Sequence, residues 1–279
     1  MISAAVPTAP ASLADLLRAG RPLVMGVLNV TPDSFSDGGA FFDPDTAIAQ
    51  AKAMIEDGAD IVDIGAESTR PYGGAQPVSA AEEIARLAPV LPAVAAMGVP
   101  VSVDTMKAAV GAWALDHGAT ILNDVWGLQG DPEMAPLAAA RRVPVVVMHN
   151  RDRADPAIDI VADVEDFFAR SLAVAETAGM APEQTVLDPG IGFGKTPAQS
   201  IATLAATPRL LAFGRPLLIG ASRKRFIDSV SPAPPQKRIG GSLAAHLLAV
   251  LDGAAIVRVH DVPETVQALK IAAAIRNAR

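Results

Sequence analysis

Cysteine is absent from the 279 residues of this chain. A fold held together by disulfides and a metal site built from thiolates are therefore both excluded. Positive charge is not in excess either, because the formal net charge is −7. No extended surface for nucleic acid is accordingly expected, and the lack of cysteine fits a cytoplasmic protein.

Apolar runs of membrane-spanning length are also missing, so no transmembrane segment is expected. Arg18 is the first basic residue and no long apolar core follows Met1, so we expect no signal peptide. Residues 1–12 are rich in alanine and proline, which indicates a loose arm. We assign residues 1–20 to this N-terminal arm and residues 21–279 to one domain, since no break in composition marks a second.

A closed metal site is not indicated, because no cluster of His, Asp and Glu has the required spacing. Any metal would be a loosely held Mg²⁺ that shares its ligands with phosphate oxygens. No Ser/His/Asp arrangement and no pair of catalytic carboxylates is obvious either.

The chain does contain a repeated pattern: an apolar run, a polar residue at its C-terminal end, a turn and a helical stretch. The segment 185–196, TVLDPGIGFGKT, shows the pattern most fully. Its apolar run ends at Asp188, its glycines allow a tight turn, and a helix is predicted to begin near Lys195 and Thr196.

The pattern occurs eight times. The predicted strands are 23–30, 60–64, 99–103, 120–122, 143–148, 185–187, 216–219 and 254–259. Predicted helices follow them at about 44–57, 79–97, 106–117, 132–141, 160–178, 197–206, 236–251 and 263–277. The strands are apolar throughout, which is typical of parallel strands covered on both faces. Eight such units predict an α/β fold with a single (β/α)₈ TIM barrel, and an open doubly wound sheet is the alternative.

Polar residues end the predicted strands, and in such a barrel the C-terminal strand ends form the active site. Those suited to the edge of a flat heterocycle with N–H and C=O groups are Asp104, Asn123, Asp188 and Lys224. Those suited to an anion such as phosphate are Arg70, Arg258 and His260. The two groups together imply a phosphorylated heterocyclic substrate.

Several residues have a second interpretation. Asp63 and Glu67 are interpreted as anchors for Arg70 or for a backbone turn, and His149 as structural. His260 is either a ligand or a cap on a neighbouring group. Trp126 and Met148 either pack in the core or stack on a ring.

Two nucleotide-binding motifs are rejected on spacing. A Walker A loop needs glycine five positions before Gly194, where Pro189 stands. The GxGxxG pattern fails because Lys195 occupies its last position. A P-loop hydrolase is therefore disfavoured.

Seven segments, spread over most of the chain, resemble, in order, the signature segments of the dihydropteroate synthase family. They are GVLNVTPDSFSDGG, DIGAESTRP, VSVDTMK, NDVWG, LDPGIGFGK, GASRKRF and RVHDV. The resemblance implies a TIM-like pterin-binding barrel in folate biosynthesis. It implies a transferase that joins 6-hydroxymethyl-7,8-dihydropterin pyrophosphate to 4-aminobenzoate and releases pyrophosphate.

The resemblance also implies roles for individual residues. Asn29 would ligate Mg²⁺ together with the pyrophosphate, and Arg258 and His260 would bind the pyrophosphate. The residues expected to hold the pterin are Asp104, Asn123, Asp188 and Lys224. The other expected substrate-binding residues are Thr69, Arg70, Met148, Phe193, Gly220 and Ser222, with Phe193 and Ser222 near the 4-aminobenzoate. The expected catalytic residues are Asp104, Lys224, Arg258 and His260. A homodimer that uses late barrel helices is implied as well.

The chain departs from the family pattern at several positions, which are Ala66, Ala221, Arg225, Trp126 and residues 150–152. None belongs to the expected pterin contacts. Trp126 and Arg225 are expected to reshape the rim near the 4-aminobenzoate. The competing functions are a methyltetrahydrofolate-binding methyltransferase, which would have no pyrophosphate to hold, and a paralogue that binds pterin without turnover.

Overall fold

The computed structural model describes residues 11–31, 43–67 and 78–278. Within these residues, eight parallel strands form one sheet in the order β6-β5-β4-β3-β2-β1-β8-β7. The strands are β1 (Leu23–Asn29), β2 (Ile61–Gly65), β3 (Val101–Asp104), β4 (Ile121–Asp124), β5 (Val145–Met148), β6 (Thr185–Asp188), β7 (Leu218–Ile219) and β8 (Ile256–Val259).

The sheet closes on itself between β6 and β7. Leu187 pairs with Leu217 in an isolated parallel bridge, and the Leu187 N–H donates to the Pro216 carbonyl over 2.9 Å. The two ends of the strand order therefore meet. The prediction of a single (β/α)₈ TIM barrel is confirmed, and the open doubly wound sheet is wrong.

Helices surround the barrel. They are α1 (Leu13–Arg18), α2 (Pro44–Glu56), α3 (Ala80–Leu87), α4 (Leu91–Ala95), α5 (Ala108–Asp116), α6 (Met134–Arg141), α7 (Ile160–Thr177), α8 (Pro197–Ala205), α9 (Thr207–Leu210), α10 (Arg225–Val230), α11 (Ile239–Leu251) and α12 (Val262–Asn277). The predicted helix 79–97 is divided into α3 and α4, because Pro89 and Pro92 lack the N–H groups that a continuous helix needs. The helices α1, α9 and α10 were not predicted.

Helix starts follow ordinary capping chemistry. Thr196 begins α8 as its N-cap: its hydroxyl accepts from the Gln199 N–H, and the Gln199 side chain accepts from the Thr196 N–H. Asp159 caps α7 in the same way by accepting from two N–H groups of the first turn. The helix that follows β6 therefore starts where the sequence predicted it.

The lower half of the barrel interior is a closed apolar layer. It contains side chains from seven strands, all fully buried: Leu23, Met25, Ile61, Ile121, Val146, Val186, Leu218 and Ile256. Leu13 of α1 packs against this layer, so α1 covers the N-terminal end of the barrel. Since these side chains fill the interior, any ligand has to bind at the opposite, C-terminal end.

Within residues 11–31, 43–67 and 78–278, no helix has the length and hydropathy needed to cross a bilayer.

Two glycines with the same backbone conformation allow a test of how tightly the loop after β6 is packed. Gly190 has φ +63° and Gly214 has φ +64°. A Cβ on Gly190 would lie 1.9 Å from the His149 carbonyl oxygen, whereas a Cβ on Gly214 would meet nothing within 4 Å.

We expect Gly214→Ala to lower the free energy of unfolding by about 1–2 kcal/mol, the cost of a left-handed alanine. Gly190→Ala should cost about 2–5 kcal/mol, because a steric overlap adds to that conformational cost. Urea denaturation of both variants measures the difference. Equal losses would show that the close approach of this loop to His149 is not maintained in solution.

Candidate active site

The polar residues of the strands lie directly above the apolar layer, on the same inner face. Side chains two positions apart on a strand point to the same side of a sheet. Four residues of the apolar layer are each followed, two positions later on the same strand, by a polar residue. The pairs are Ile61 and Asp63, Ile121 and Asn123, Val186 and Asp188, and Ile256 and Arg258. The inner face of the barrel therefore changes from apolar to polar between one layer of side chains and the next.

An ion-pair cluster occupies the centre of this cup. The Arg258 Nε–H donates to Asp63 Oδ2 over 2.7 Å, and the Arg258 Nη2–H donates to Asp104 Oδ2 over 2.9 Å. The Asn123 Nδ2–H also donates to Asp63 Oδ2, over 3.2 Å. Strands β2, β3, β4 and β8 therefore meet through one guanidinium and two carboxylates.

The same cluster leaves three buried oxygen atoms without a hydrogen-bond partner in the described part of the chain. They are Asp63 Oδ1, Asp104 Oδ1 and Asn123 Oδ1. A buried acceptor with no partner costs about 1–3 kcal/mol, so three in one place indicate a position for a ligand. Such a ligand has to offer several hydrogen-bond donors.

Burial governs the acidity of the carboxyl groups here. It raises the pKa of Asp104 to about 7; the Arg258 guanidinium opposes this shift, and the negative charge of Asp63 adds to it. Burial also raises the pKa of Asp188, against the hydrogen bond from the Gly190 N–H and the charge of Lys224. Both carboxyl groups therefore hold their protons more firmly than an exposed aspartate does.

The side of the cup next to this cluster is formed by Asp188, Gly220 and Lys224. Asp188 Oδ1 accepts from the Gly190 N–H over 2.8 Å. A Cβ on Gly220 would lie 3.9 Å from both Asp188 Oδ2 and Arg258 Cβ, so Gly220 stands between these two side chains. The Lys224 Nζ lies 4.1 Å from the centre of the Phe193 ring, a distance that allows a cation–π contact.

The rim of the cup combines an apolar cluster with a Ser–His contact. Val125, Met148 and Phe193 pack together with the partly buried Met106 and Trp126. Met148, which is buried, and Trp126, which is partly exposed, thus both pack beside Phe193; stacking of either on a bound ring stays a prediction.

Across the rim, the backbone N–H of His260 donates to Ser222 Oγ over 3.2 Å, and its ring Nδ1 lies 3.0 Å from the same oxygen. His260 therefore does contact a neighbouring hydroxyl. Whether it also binds a ligand is considered below.

Two of the predicted anchors have different outcomes. The Glu67 carboxylate accepts from the Val78 N–H over 3.1 Å, so its interpretation as a backbone anchor is confirmed. The Asp63 carboxylate lies instead against Arg258 and Asn123, so it belongs to the cup. The signal was an acidic residue within an otherwise apolar strand, IVDIG.

His149 is structural, as predicted. It is fully buried, and its Nε2 lies 3.0 Å from the Asp163 carboxylate. The sequence interpretation assigned Lys195 to a helix start and missed that this side chain is almost fully buried.

Asn29 ends β1, next to Gly65 of β2. Its amide oxygen is a hard ligand of the kind that Mg²⁺ accepts. Among the described residues, no group of three or more His, Cys, Asp or Glu side chains could hold a metal ion. A Mg²⁺ ion at Asn29, which would take most of its ligands from a bound phosphate group and water, stays a prediction. Thr69 and Arg70 lie outside the described residues.

Comparison with known proteins gives this geometry a context. A family model described as "Pterin binding enzyme" matches residues 25–260. The dihydropteroate synthase of Bacillus subtilis (strain 168) is 45% identical over 92% of this chain and 90% of its own length. A probable bifunctional folylpolyglutamate synthase/dihydropteroate synthase of Haloferax volcanii is 50% identical over 91% of this chain. The chain spans 30% of the length of that bifunctional relative.

A solved structure agrees with these relatives. Xanthomonas albilineans dihydropteroate synthase with 4-aminobenzoic acid superposes with a TM-score of 0.87 and 45% identity, covering 92% of this chain and 93% of that chain. The barrel and the family match define a pterin-binding enzyme. Within that class, the chain belongs to the dihydropteroate synthase family.

The raised pKa of Asp104 predicts a pH dependence of stability. Because the folded chain holds this proton up to about pH 7 and an exposed aspartate only to 3.8, the contribution of Asp104 is greatest below about pH 4. It is lost as the pH rises from about 4 to about 7.

The free energy of unfolding of the wild type, minus that of Asp104→Asn, should therefore fall over this interval and stay constant above it. Urea denaturation of both proteins between pH 4 and pH 9 checks this. A difference that rises or stays flat between pH 4 and pH 7 would contradict the assignment.

Proposed function

We propose that this chain joins 6-hydroxymethyl-7,8-dihydropterin pyrophosphate to 4-aminobenzoate and releases 7,8-dihydropteroate and pyrophosphate. The observation that carries the proposal is the set of buried oxygens without partners on Asp63, Asp104 and Asn123. The edge of a pterin presents ring N–H and amino groups, which are the donors that these oxygens lack. The relatives named above support the same reaction.

The pterin would lie in the cup with its polar edge toward Asp104, Asn123 and Asp188. Asp188 would accept hydrogen bonds with the carboxylate oxygen that is not engaged by the Gly190 N–H. Lys224 would donate to the ring from the side on which it meets Phe193. Recognition of this kind rejects ligands that lack the N–H groups, because buried acceptors would then stay unpaired.

The 4-aminobenzoate would lie higher, at the rim. Phe193 and Ser222 are the residues that we assign to it, with Phe193 supported by Met148 and Trp126. The solved relative that holds 4-aminobenzoic acid supports a site for this acid. Trp126 adds apolar surface where the family pattern has a small residue, and Arg225 is exposed at the start of α10.

The reaction breaks the bond between the pterin methylene carbon and the diphosphate oxygen. Arg258 and His260 would stabilise the charge of the departing pyrophosphate. Mg²⁺, held by Asn29 and the diphosphate, would supply further charge compensation when bound. The positive charge left on the methylene carbon delocalises into the dihydropterin ring, where the Asp104 carboxylate would stabilise it.

The aromatic amine then attacks the methylene carbon and forms the new C–N bond. It is uncharged at neutral pH, so no strong base has to activate it. After the bond has formed, its proton passes to solvent or to the released pyrophosphate. Thr69 and Arg70 are proposed to complete the site from the segment that follows Glu67.

We also propose that the chain forms a homodimer through α11 and α12. These two helices pack against each other, and each exposes large apolar side chains. They are Leu248 and Leu251 on α11, and Ile271 and Ile275 on α12, all more than half exposed. Adjacent exposed apolar residues on neighbouring helices are typical of a protein–protein interface.

Incubation with the dihydropterin pyrophosphate, 4-aminobenzoate and Mg²⁺ tests the reaction. We expect pyrophosphate release only when both organic substrates are present, with 7,8-dihydropteroate detected by mass spectrometry. Release without 4-aminobenzoate would indicate a hydrolase. Pterin binding by calorimetry without any release would indicate a non-catalytic binder.

A matched pair of aspartate variants makes the assay specific. Asp188→Asn keeps an oxygen for the Gly190 N–H but removes the charge, so pterin binding should weaken at least about tenfold. Asp60→Asn is the control, because Asp60 accepts from the Val24 N–H at the far end of the barrel. Equal effects of the two substitutions would remove Asp188 from the pterin site.

The dimer is tested by light scattering coupled to size-exclusion chromatography. The wild type should have the mass of two chains, and Leu248→Glu combined with Ile271→Glu should have the mass of one, because the charges would have to be buried unpaired. Val174→Glu, an exposed apolar position on α7, should remain dimeric. A monomeric wild type, or a double variant that stays dimeric, would refute the proposal.

A further inference from the structure

The loop that connects β6 to α8 carries two of the proposed substrate contacts. Asp188 stands at its start and Phe193 near its end. The backbone turns through glycines with positive φ at 190 and 192 between them, and at 194 directly after Phe193. Glycine leaves the backbone many conformations. Inside the loop, the Phe193 N–H donates to the Gly190 carbonyl over 3.0 Å, and the Gly190 N–H donates to Asp188 Oδ1 over 2.8 Å. A loop with three glycines still needs contacts from a buried side chain to hold both Asp188 and Phe193 in place.

Lys195 meets that requirement. Its side chain is 2% exposed, and its Nζ donates to the Gly190 carbonyl over 2.9 Å and to the Phe193 carbonyl over 3.2 Å. The two carbonyls belong to the two ends of the glycine turn. The Lys195 ammonium group thereby links Gly190, two positions after Asp188, to Phe193.

A second layer holds the ammonium group itself. The Lys195 Nζ lies 2.7 Å from His149 Nδ1, and His149 Nε2 lies 3.0 Å from the Asp163 carboxylate. Because the carboxylate can only accept, the ring proton belongs on Nε2, which leaves the Nδ1 lone pair to accept from Lys195. The Arg151 Nη1–H donates to the same carboxylate over 2.8 Å.

The charges around these groups are consistent with this arrangement. Burial, and then the neighbouring Lys195, lower the pKa of His149 to about 3, so the ring is neutral at physiological pH. Burial lowers the pKa of Lys195 to about 7, against the attraction of Asp188 and Asp163. A buried lysine whose ammonium form predominates only below about pH 7 is more typical of a functional region than of a passive core.

We propose that Lys195 is a positioning residue for the reaction, which fixes the loop after β6 so that Asp188 faces the pterin and Phe193 faces the 4-aminobenzoate. The His149–Asp163 pair holds the Lys195 ammonium group in its position. This inference rests on the proposed function, since it concerns the residues that would contact the two organic substrates. It assigns no contact with the pyrophosphate, whose proposed ligands are Arg258, His260 and, through Mg²⁺, Asn29.

The geometry therefore predicts a selective loss. Lys195→Met keeps the length of the side chain and removes its donors. We expect pterin binding, measured by calorimetry, to weaken at least tenfold and the KM for 4-aminobenzoate to rise at least fivefold. Binding of inorganic pyrophosphate in the presence of Mg²⁺ should stay within twofold of the wild type.

Two further variants keep the test decisive. Asp163→Ala leaves Lys195 in place but removes the partner of His149, so the same selective loss should appear at about threefold. Phe168→Leu, a fully buried core change on α7, is the stability control. It should lower the melting temperature and leave the affinities for pterin and pyrophosphate unchanged.

A folded Lys195→Met protein that binds pterin within twofold of the wild type would overturn the inference. So would an equal loss of pterin and pyrophosphate binding, which would show a general structural role. If Lys195→Met does not fold, the selective loss in Asp163→Ala decides the question in the same way. A wild type that binds no pterin would instead overturn the proposed function, and the inference with it.

Discussion

The cup at the C-terminal end of the barrel depends on one shared cation. Arg258 reaches from β8 to carboxylates on β2 and β3, and Asn123 of β4 joins the same cluster through Asp63. Buried carboxylates are unfavourable unless they are paired and hydrogen-bonded. The guanidinium therefore makes it possible for a fold with an apolar interior to keep acidic groups at the depth where a flat ring would bind.

The hydrogen-bonding groups of this cluster are only partly paired. One guanidinium faces two carboxyl groups. One oxygen of each carboxyl group and the Asn123 amide oxygen have no partner in the described residues. A fully satisfied network would stabilise the fold more but would have nothing to offer a ligand. The site thus keeps three acceptor oxygens without donors, and the edge of a pterin would supply such donors.

The sequence predicted the barrel and most of the cup because both follow from local patterns. Apolar strands that end in polar residues predicted Asp104, Asn123, Asp188 and Arg258 at one rim. The structure adds that the alternation of side chains along each strand puts these residues on the inner face.

The sequence did not predict Asp63 as a member of the cluster, because its partner Arg258 is 195 residues away. Nor did it predict the burial of Lys195, since glycine-rich turns and helix starts usually place a lysine in solvent. Long-range pairing and the burial of a charge depend on the closed barrel and are absent from any local pattern. Thr69 and Arg70 remain predictions.

The apolar layer beneath the cup limits the path by which ligands enter and leave. Side chains from seven strands fill the lower interior, and Leu13 of α1 packs against them from below. Within the described residues the chamber therefore behaves as a blind well and not as a tunnel. Solvent displaced by an incoming ring has to escape past that same ring. A ring bound against the apolar layer can therefore enter and leave only through the C-terminal opening, past any group bound above it.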